Sequence, residues 1–224
     1  GADRMSVVPP GFAPPRTEPG RDDDAWKAVA QRYALDGRPF VLYPSITYPH
    51  KNHAVLVDAL AQVPDEVVLV LTGGAASAEA DLAARIEEVG VAARVRRTGR
   101  VPERDLVALY RHALALVYPS RYEGFGLPVL EAMDLGCPVL VADDTALGET
   151  AGDAAILLPP EDPAAWAAAI TALLHDPARR EALVTRGARR VATFRWEESA
   201  AALARTYHRA LARPGSGRRR APSP

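Results

Sequence analysis

The sequence predicts an α/β domain built on one doubly wound parallel sheet of about six strands, with helices on both faces. Three observations carry that expectation. Short apolar runs alternate with segments of helical period along most of the chain, which is the pattern of repeated βαβ units. One run, Val67-Val68-Leu69-Val70-Leu71, is apolar at every position. Such a strand is buried on both sides, as in a parallel sheet covered by helices. Glycine-bearing loops then follow the runs, at Gly73-Gly74, at Gly99 and at Gly124 and Gly126. In a parallel sheet, those are the loops where ligands bind.

Residues 1–24 read as a linker or N-terminal extension, with Val7-Val8-Pro9-Pro10-Gly11-Phe12 extended and a Pro, Arg and Asp-rich run behind it. The start, Gly1-Ala2-Asp3-Arg4-Met5, reads as a scar or a cut inside a longer polypeptide. Asp24 is placed to cap a helix over residues 25–33. Phe40-Val41-Leu42-Tyr43 is the first clear strand and leads into a loop, residues 44–52, that carries His50 and Lys51. A helix follows, with Ala54, Leu56, Val57 and Leu60 on its apolar side. After the strand at 67–71, Ser77 is placed to cap a helix over 79–89 that stops at Gly90. A weaker strand is expected at 95–98, a helix at 103–113 and a strand at 114–118. The loop with Gly124 and Gly126 opens a helix with Pro128 in its first turn, which stops at Gly136 before a strand at 139–142. A short helix at 145–150 and a strand at 155–158 come next. Helices at 163–174 and 177–192 each begin with proline, and a final helix spans 196–211. Residues 212–224, rich in Pro, Gly, Ser and Arg, are expected to be a disordered tail. The core domain is thus expected over residues 25–195.

Composition removes several function classes. A net charge of -1 supplies no basic field for nonspecific nucleic-acid binding. The single cysteine, Cys137, excludes an intrachain disulfide and fits a reducing compartment, where it serves as a small core residue. No apolar stretch has the length of a membrane span, and no signal peptide is recognisable. There is no G-x-x-x-x-G-K-[ST] loop, and no G-x-G-x-x-G between a first strand and helix. Nucleotide hydrolases and dinucleotide dehydrogenases are therefore disfavoured. His50 and His53 flank Lys51, but no cysteine or carboxylate joins them to make a metal set.

The expected fold gathers loops 44–51, 72–74, 99–101 and 120–127 at one sheet edge. Glu123 lies on the last of them, and Glu131 lies about one turn into the helix behind it. A carboxylate at Glu131 can accept two hydrogen bonds from a vicinal diol such as a ribose. The free N–H groups of Gly124, Phe125, Gly126 and Leu127 stand at a helix start, which attracts anions. Lys51 brings a full positive charge for a phosphate. Singly, each is a commonplace residue: a loop glutamate, a helix glutamate, a surface lysine, a turn. Together at one edge they suit a sugar nucleotide better than free phosphate or NAD.

The stretch from Pro119-Ser120 to Pro138 closely resembles the signature of the retaining GT-B glycosyltransferases of family 4, the "group 1" transferases. In that family P-S-x-x-E-G-F-G-L-P-x-x-E-A-M-A-x-G-x-P-V holds the E-x7-E motif. Asp134 stands where the family usually has alanine. Val8-Pro9-Pro10-Gly11 is similar to the interdomain linker, Pro49-His50-Lys51-Asn52 to the lysine loop, and Gly99-Arg100-Val101 to the base-binding turn. Asp153-Ala154-Ala155 and Phe194-Arg195-Trp196 match late family patterns.

The resemblance implies that this is the Rossmann-like, donor-binding half of a GT-B fold. Glu131 would bind the ribose hydroxyls, and Glu123 would contact the donor sugar near the reacting centre. The backbone of Gly124, Phe125, Gly126 and Leu127 would hold sugar hydroxyls and diphosphate. Lys51 would neutralise the leaving group, and Arg100 and Val101 would meet the base through backbone atoms. The donor is a nucleoside diphosphate sugar, and neither cofactor nor bound metal is expected. The partner is an acceptor-binding N-terminal domain, onto which the helix at 196–211 would cross. The implied location is cytoplasmic, with peripheral membrane contact open to the full enzyme. Many members place an arginine six residues before the lysine, where this chain has Ser45; His50 and Arg121 are both candidates to replace it. The competing class is a noncatalytic binding or scaffold module. The intact Lys51, Glu123 and Glu131 favour the working site, and an acceptor domain or a stop codon upstream of Gly1 would separate the two. A sugar-nucleotide epimerase shares the fold but is not expected to carry E-G-F-G-L-P.

Overall fold

The computed structural model describes residues 5–14, 23–35, 37–143 and 146–212. The chain divides into a unit of residues 14–191 and a unit formed by the two chain ends, residues 1–13 and 192–224. The larger unit runs α1 (Asp23–Arg32), β1 (Phe40–Pro44), α2 (His53–Leu60), β2 (Val68–Thr72), α3 (Glu79–Val89), β3 (Val95–Gly99), α4 (Glu103–His112) and β4 (Ala115–Tyr118). It continues with α5 (Leu127–Asp134), β5 (Val139–Ala142), α6 (Ala146–Ala151), β6 (Ile156–Leu158), α7 (Pro163–His175) and α8 (Pro177–Val191).

The strands form one sheet in the order β3-β2-β1-β4-β5-β6, and every neighbouring pair is parallel. The chain moves outward from β1 to β3, returns across β1 to β4, and then moves outward again. Right-handed crossovers put the helices of the two halves on opposite faces. The packing agrees: α2 lies against α3 and α7, whereas α5 lies against α6 and α8. The strands β1, β2, β4 and β5 are buried along almost their whole length, hence their unbroken apolar runs. The weaker hydropathy of β3 has a structural reason. It is an edge strand, Val-Arg-Arg-Thr-Gly, half in water. Trp166 is fully buried on α7, and its indole N–H donates to the Pro159 carbonyl at 2.9 Å. That satisfies the one polar atom of the ring. Asp162 caps α7, accepting from the N–H groups of Ala164 and Ala165 at 3.1 Å.

Some local expectations change. The first helix begins at Asp23, so Asp24 is its second residue rather than its cap. Ser77 does not cap α3: Ala78 precedes the helix and no side chain caps it. Thr47 organises that turn instead, accepting from the N–H of Ala76 on its hydroxyl (2.7 Å) and of Ala78 on its carbonyl (2.9 Å). Ala54 is exposed, whereas His53, Val55, Leu56, Val57, Ala59 and Leu60 are buried. The α2 helix is covered on nearly every side, so its outer stripe is only Ala54 and Asp58, one turn apart. The expectations for residues 1–4, 15–22, Thr145 and the tail from 213 onward lie outside the described residues.

In the smaller unit, α9 spans Trp196–Leu211. The N-terminal segment lies along it. The Phe12 N–H donates to the Phe194 carbonyl at 2.9 Å, and the Ser199 hydroxyl donates to the Pro9 carbonyl at 2.6 Å. A Cβ at Gly11 would stand 2.6 Å from the Trp196 Cα and ring, so only glycine allows this approach. Trp196, Leu203, Tyr207 and Leu211 are exposed and recur along one stripe of α9. No helix among the described residues is long and apolar enough to cross a membrane.

Candidate active site

The strand order reverses between β1 and β4, so the loops leaving their C-terminal ends bound the crevice where doubly wound sheets bind ligands. Hydrogen bonds stitch these loops together. Asn52 sits in the left-handed region (φ 55°, ψ 42°), which asparagine tolerates better than most residues. Its amide Nδ2 donates to the carbonyls of Pro119 (3.3 Å) and Pro160 (2.7 Å). The Arg121 N–H donates to the His50 carbonyl at 2.8 Å, and the Ser120 hydroxyl donates to the same oxygen at 3.3 Å.

Lys51 and Glu123, 72 residues apart in sequence, meet in this crevice. The ammonium Nζ lies 2.5 Å from Glu123 Oε1, and the side chains are only 16% and 13% exposed. The Tyr118 ring lies beneath the ammonium, its centroid 5.8 Å from Nζ. The Tyr43 hydroxyl donates to the Lys51 carbonyl at 2.7 Å and fixes the backbone from below. Burial, then the Glu123 charge, pushes the Tyr118 phenol well above its usual range.

The loop from Gly124 to Gly126 opens α5. Gly126 precedes the helix with φ 92°, and a Cβ there would fall 2.5 Å from Leu147 Cδ2. Backbone geometry and space both call for glycine. At Gly124 an added Cβ would meet nothing within 4 Å, so its glycine answers no crowding inside the protein. The Phe125 carbonyl accepts from the Thr150 hydroxyl of α6 at 2.5 Å, which anchors the loop. Leu127 is exposed at the first position of α5.

Glu131 is half-buried on α5, and Oε2 accepts from the Tyr110 hydroxyl at 3.1 Å. Burial pushes its carboxyl up, the Tyr110 hydrogen bond pulls it down, and the Glu103 charge pushes it up again. Glu103 opens α4 directly after the turn that holds Arg100 and Val101. That turn and Glu131 therefore share one neighbourhood. Gly99 turns the chain there with φ 67°, and its carbonyl accepts from the Gly73 N–H at 2.8 Å. A cavity of about 300 Å³, lined by Ser45, Thr47, Thr72, Gly73, Arg97 and Gly99, opens beside it. Another, of about 670 Å³, is lined by Arg121, Tyr122, Glu123, Asp143, Glu149 and Leu157.

The two candidates to replace an arginine at Ser45 are both engaged. The Arg121 guanidinium grips Glu161 with Nε and Nη2, the latter at 2.8 Å from Oε2, and its Nη1 donates to the Pro49 carbonyl. The His50 ring stacks on Tyr48, with centroids 5.8 Å apart. His53 is a core residue against Tyr43, and burial lowers its pKa to about 4. Among the described residues, no three His, Cys, Asp or Glu side chains converge as a metal site would need.

Sequence reasoning missed Tyr110, Tyr118, Tyr43, Asn52 and Thr150. The Lys-Asn pair before a helix was a signal for the left-handed asparagine. The tyrosines read only as apolar positions, because nothing local shows that a hydroxyl has a buried acceptor.

Comparison with known proteins identifies the family and the fold. The profile of the family described as "Glycosyl transferases group 1" matches residues 25–190. The chain is 38% identical over 173 residues to O-antigen chain mannosyltransferase B of Escherichia coli, covering 75% of this chain and 45% of that one. It is 37% identical over 223 residues to D-inositol 3-phosphate glycosyltransferase of Xylanimonas cellulosilytica, covering 94% and 52%. Among solved structures, sucrose-phosphate synthase from Thermosynechococcus elongatus superposes with a TM-score of 0.73 and 31% identity, covering 92% and 53%. Anabaena Alr3699/HepE in complex with UDP and glucose shares the fold, with a TM-score of 0.75, 24% identity and coverage of 86% and 53%. The chain spans about half the length of the curated relatives it matches, 45% and 52% for these two.

Proposed function

The chain belongs to the group 1 glycosyl transferases, and we propose that residues 25–195 form the nucleotide-sugar-binding domain of a retaining hexosyltransferase of that family. The observation that carries this reading is the meeting of Lys51 with Glu123 at the β1/β4 switch point, beside the start of α5. A cation, a carboxylate and a helix start within one crevice match the three parts of a diphosphate sugar. Relatives named as a mannosyltransferase and an inositol-phosphate glycosyltransferase support a hexosyl group as the cargo.

In this reading the base lies on the Arg100–Val101 backbone and the ribose diol on Glu131. The diphosphate lies between Lys51 and the N–H groups of Gly124 to Leu127, and the sugar lies on Glu123. The bond between the anomeric carbon and the β-phosphate oxygen breaks, and the nucleoside diphosphate leaves with the electron pair. The acceptor hydroxyl oxygen attacks the same face, and its proton passes to the departing phosphate oxygen. Configuration is kept without a protein nucleophile. Lys51 and the helix start stabilise the charge that develops on the leaving group, the kind of contribution that is usually the largest in catalysis. No metal is required. The acceptor is a sugar or a lipid-linked molecule, held by a second domain. The exposed stripe of Trp196, Leu203, Tyr207 and Leu211 supports assigning α9 to the contact with that domain.

The isolated chain is expected to bind a nucleoside diphosphate weakly and to transfer little or nothing. Calorimetry with UDP and GDP tests the first statement, and absence of heat with both, on folded protein, refutes it. Robust sugar transfer by the isolated chain refutes the second.

A further inference from the structure

We propose that Tyr110 is the positioning residue for the donor ribose: its hydroxyl holds one oxygen of Glu131 so that the other is presented to a vicinal diol. This rests on the nucleotide-sugar reading of the site. The geometry is direct. Tyr110 is fully buried on α4, its hydroxyl lies 3.1 Å from Glu131 Oε2, and the described residues supply no hydrogen bond to Oε1. Both helices start at the ligand-binding edge and run away from it. Glu131 is the fifth residue of α5 and Tyr110 the eighth of α4. At about 1.5 Å per residue, Tyr110 lies deeper than Glu131. Helical side chains lean back toward the N-terminus, so the phenol reaches up to the carboxylate from the protein side.

The chemistry supports a fixed donor. Burial and the Glu131 charge push the Tyr110 phenol well above 10, so it keeps its proton at every working pH. A phenol that never ionises can only donate to a carboxylate, which leaves the second oxygen as the acceptor for ligand. A carboxylate anchored at one oxygen loses less rotational freedom when it binds. The unanchored Glu131 would also protonate more readily, since Tyr110 is the contact that pulls its carboxyl down.

The test is Tyr110→Phe in the whole chain, titrated with UDP or GDP, whichever binds, and with its 2′-deoxy counterpart. The wild type is expected to favour the ribonucleotide by about tenfold, and Tyr110→Phe to cut that preference to about twofold or less. The acid limb of ribonucleotide binding should also move to higher pH. A merely structural change, such as Val107→Ala elsewhere in the buried face of α4, lowers stability but leaves the preference intact. An unchanged preference in Tyr110→Phe overturns the proposal. Wild-type protein that binds ribo- and deoxy-forms equally, or neither, overturns the ribose assignment of Glu131 itself. If Tyr110→Phe does not fold, fluorotyrosine at position 110 keeps the hydroxyl. Its fluorine resonance is expected to shift on saturation with the ribonucleotide and not with the deoxy form; a resonance unmoved by both overturns the proposal.

Discussion

Glu123→Gln is expected to tighten nucleoside diphosphate binding while it weakens the fold. With a separation of 2.5 Å between Lys51 Nζ and Glu123 Oε1, the raw Coulomb attraction at an effective dielectric of about 20 is about 6 to 7 kcal/mol. Most of that offsets the desolvation of two largely buried ions. Glutamine keeps the shape and one acceptor for the ammonium but removes the charge. The loss in unfolding free energy is then about 1–2 kcal/mol, the scale of a charge-assisted hydrogen bond reduced to a neutral one. The same change releases Lys51 from its competitor for the diphosphate, and about 1.4 kcal/mol of that release is a tenfold gain in affinity. Calorimetry with UDP or GDP reads the gain, and chemical unfolding reads the loss. In the Lys51→Met background the gain should vanish, because no ammonium remains to be released. Weaker diphosphate binding by Glu123→Gln in the Lys51 background, or an effect that is the same with and without Lys51, would refute a competition between Glu123 and the diphosphate for the ammonium.

Gly73→Ala should be among the most damaging single-methyl additions. Its φ is 126° and the new Cβ would stand 2.4 Å from the Ser45 carbonyl oxygen, so about 2–4 kcal/mol of stability is expected to be lost in denaturant unfolding. His53 makes the fold acid-sensitive. Burial lowers its pKa from 6.5 to about 4, so between those values the unfolded chain holds the extra proton and stability rises with pH. The stability contributed is present above the unfolded pKa, falls by about 3 kcal/mol across that window and is lost below about 4. Urea unfolding at pH 7 and pH 4.5 should show a smaller decline for His53→Leu than for the wild type.

How much of this was legible in the chain depended on the range of the signal. The buried strands announced themselves because a parallel strand covered on both faces needs no polar residue, as in Val68–Thr72 and Val139–Ala142. The edge strand Val95–Gly99 was weaker for the converse reason. The loop and helix from Gly124 to Glu131 were readable because their requirements are local: a positive φ at Gly126, a proline in the first turn, a carboxylate one turn in. The Lys51–Glu123 contact was different. Its partners are 72 residues apart, and only the strand order, by placing β4 beside β1, brings their loops together. Cap assignment failed at Ser77 because a residue from another loop, Thr47, satisfied the turn first.

What stayed hidden was the layer beneath the site, and its residue types explain why. Tyr43, Tyr110 and Tyr118 are all buried and occupy positions that any apolar side chain would fill in a hydrophobic pattern. Each carries a hydroxyl that the pattern ignores, and a buried hydroxyl without a partner costs about 1–3 kcal/mol. Two of them have visible acceptors in the site, the Lys51 carbonyl and the Glu131 carboxylate. The ring of Tyr118 lies under the Lys51 ammonium, and its hydroxyl interacts with the Glu123 carboxylate. Phenylalanine would pack equally well at all three positions and avoid the need for an acceptor. The tyrosines thus bind the core to the geometry of the functional groups above it. A loss of activity on changing one of them need not come from lost packing, and Tyr→Phe, which spares the packing, is the substitution that separates the two.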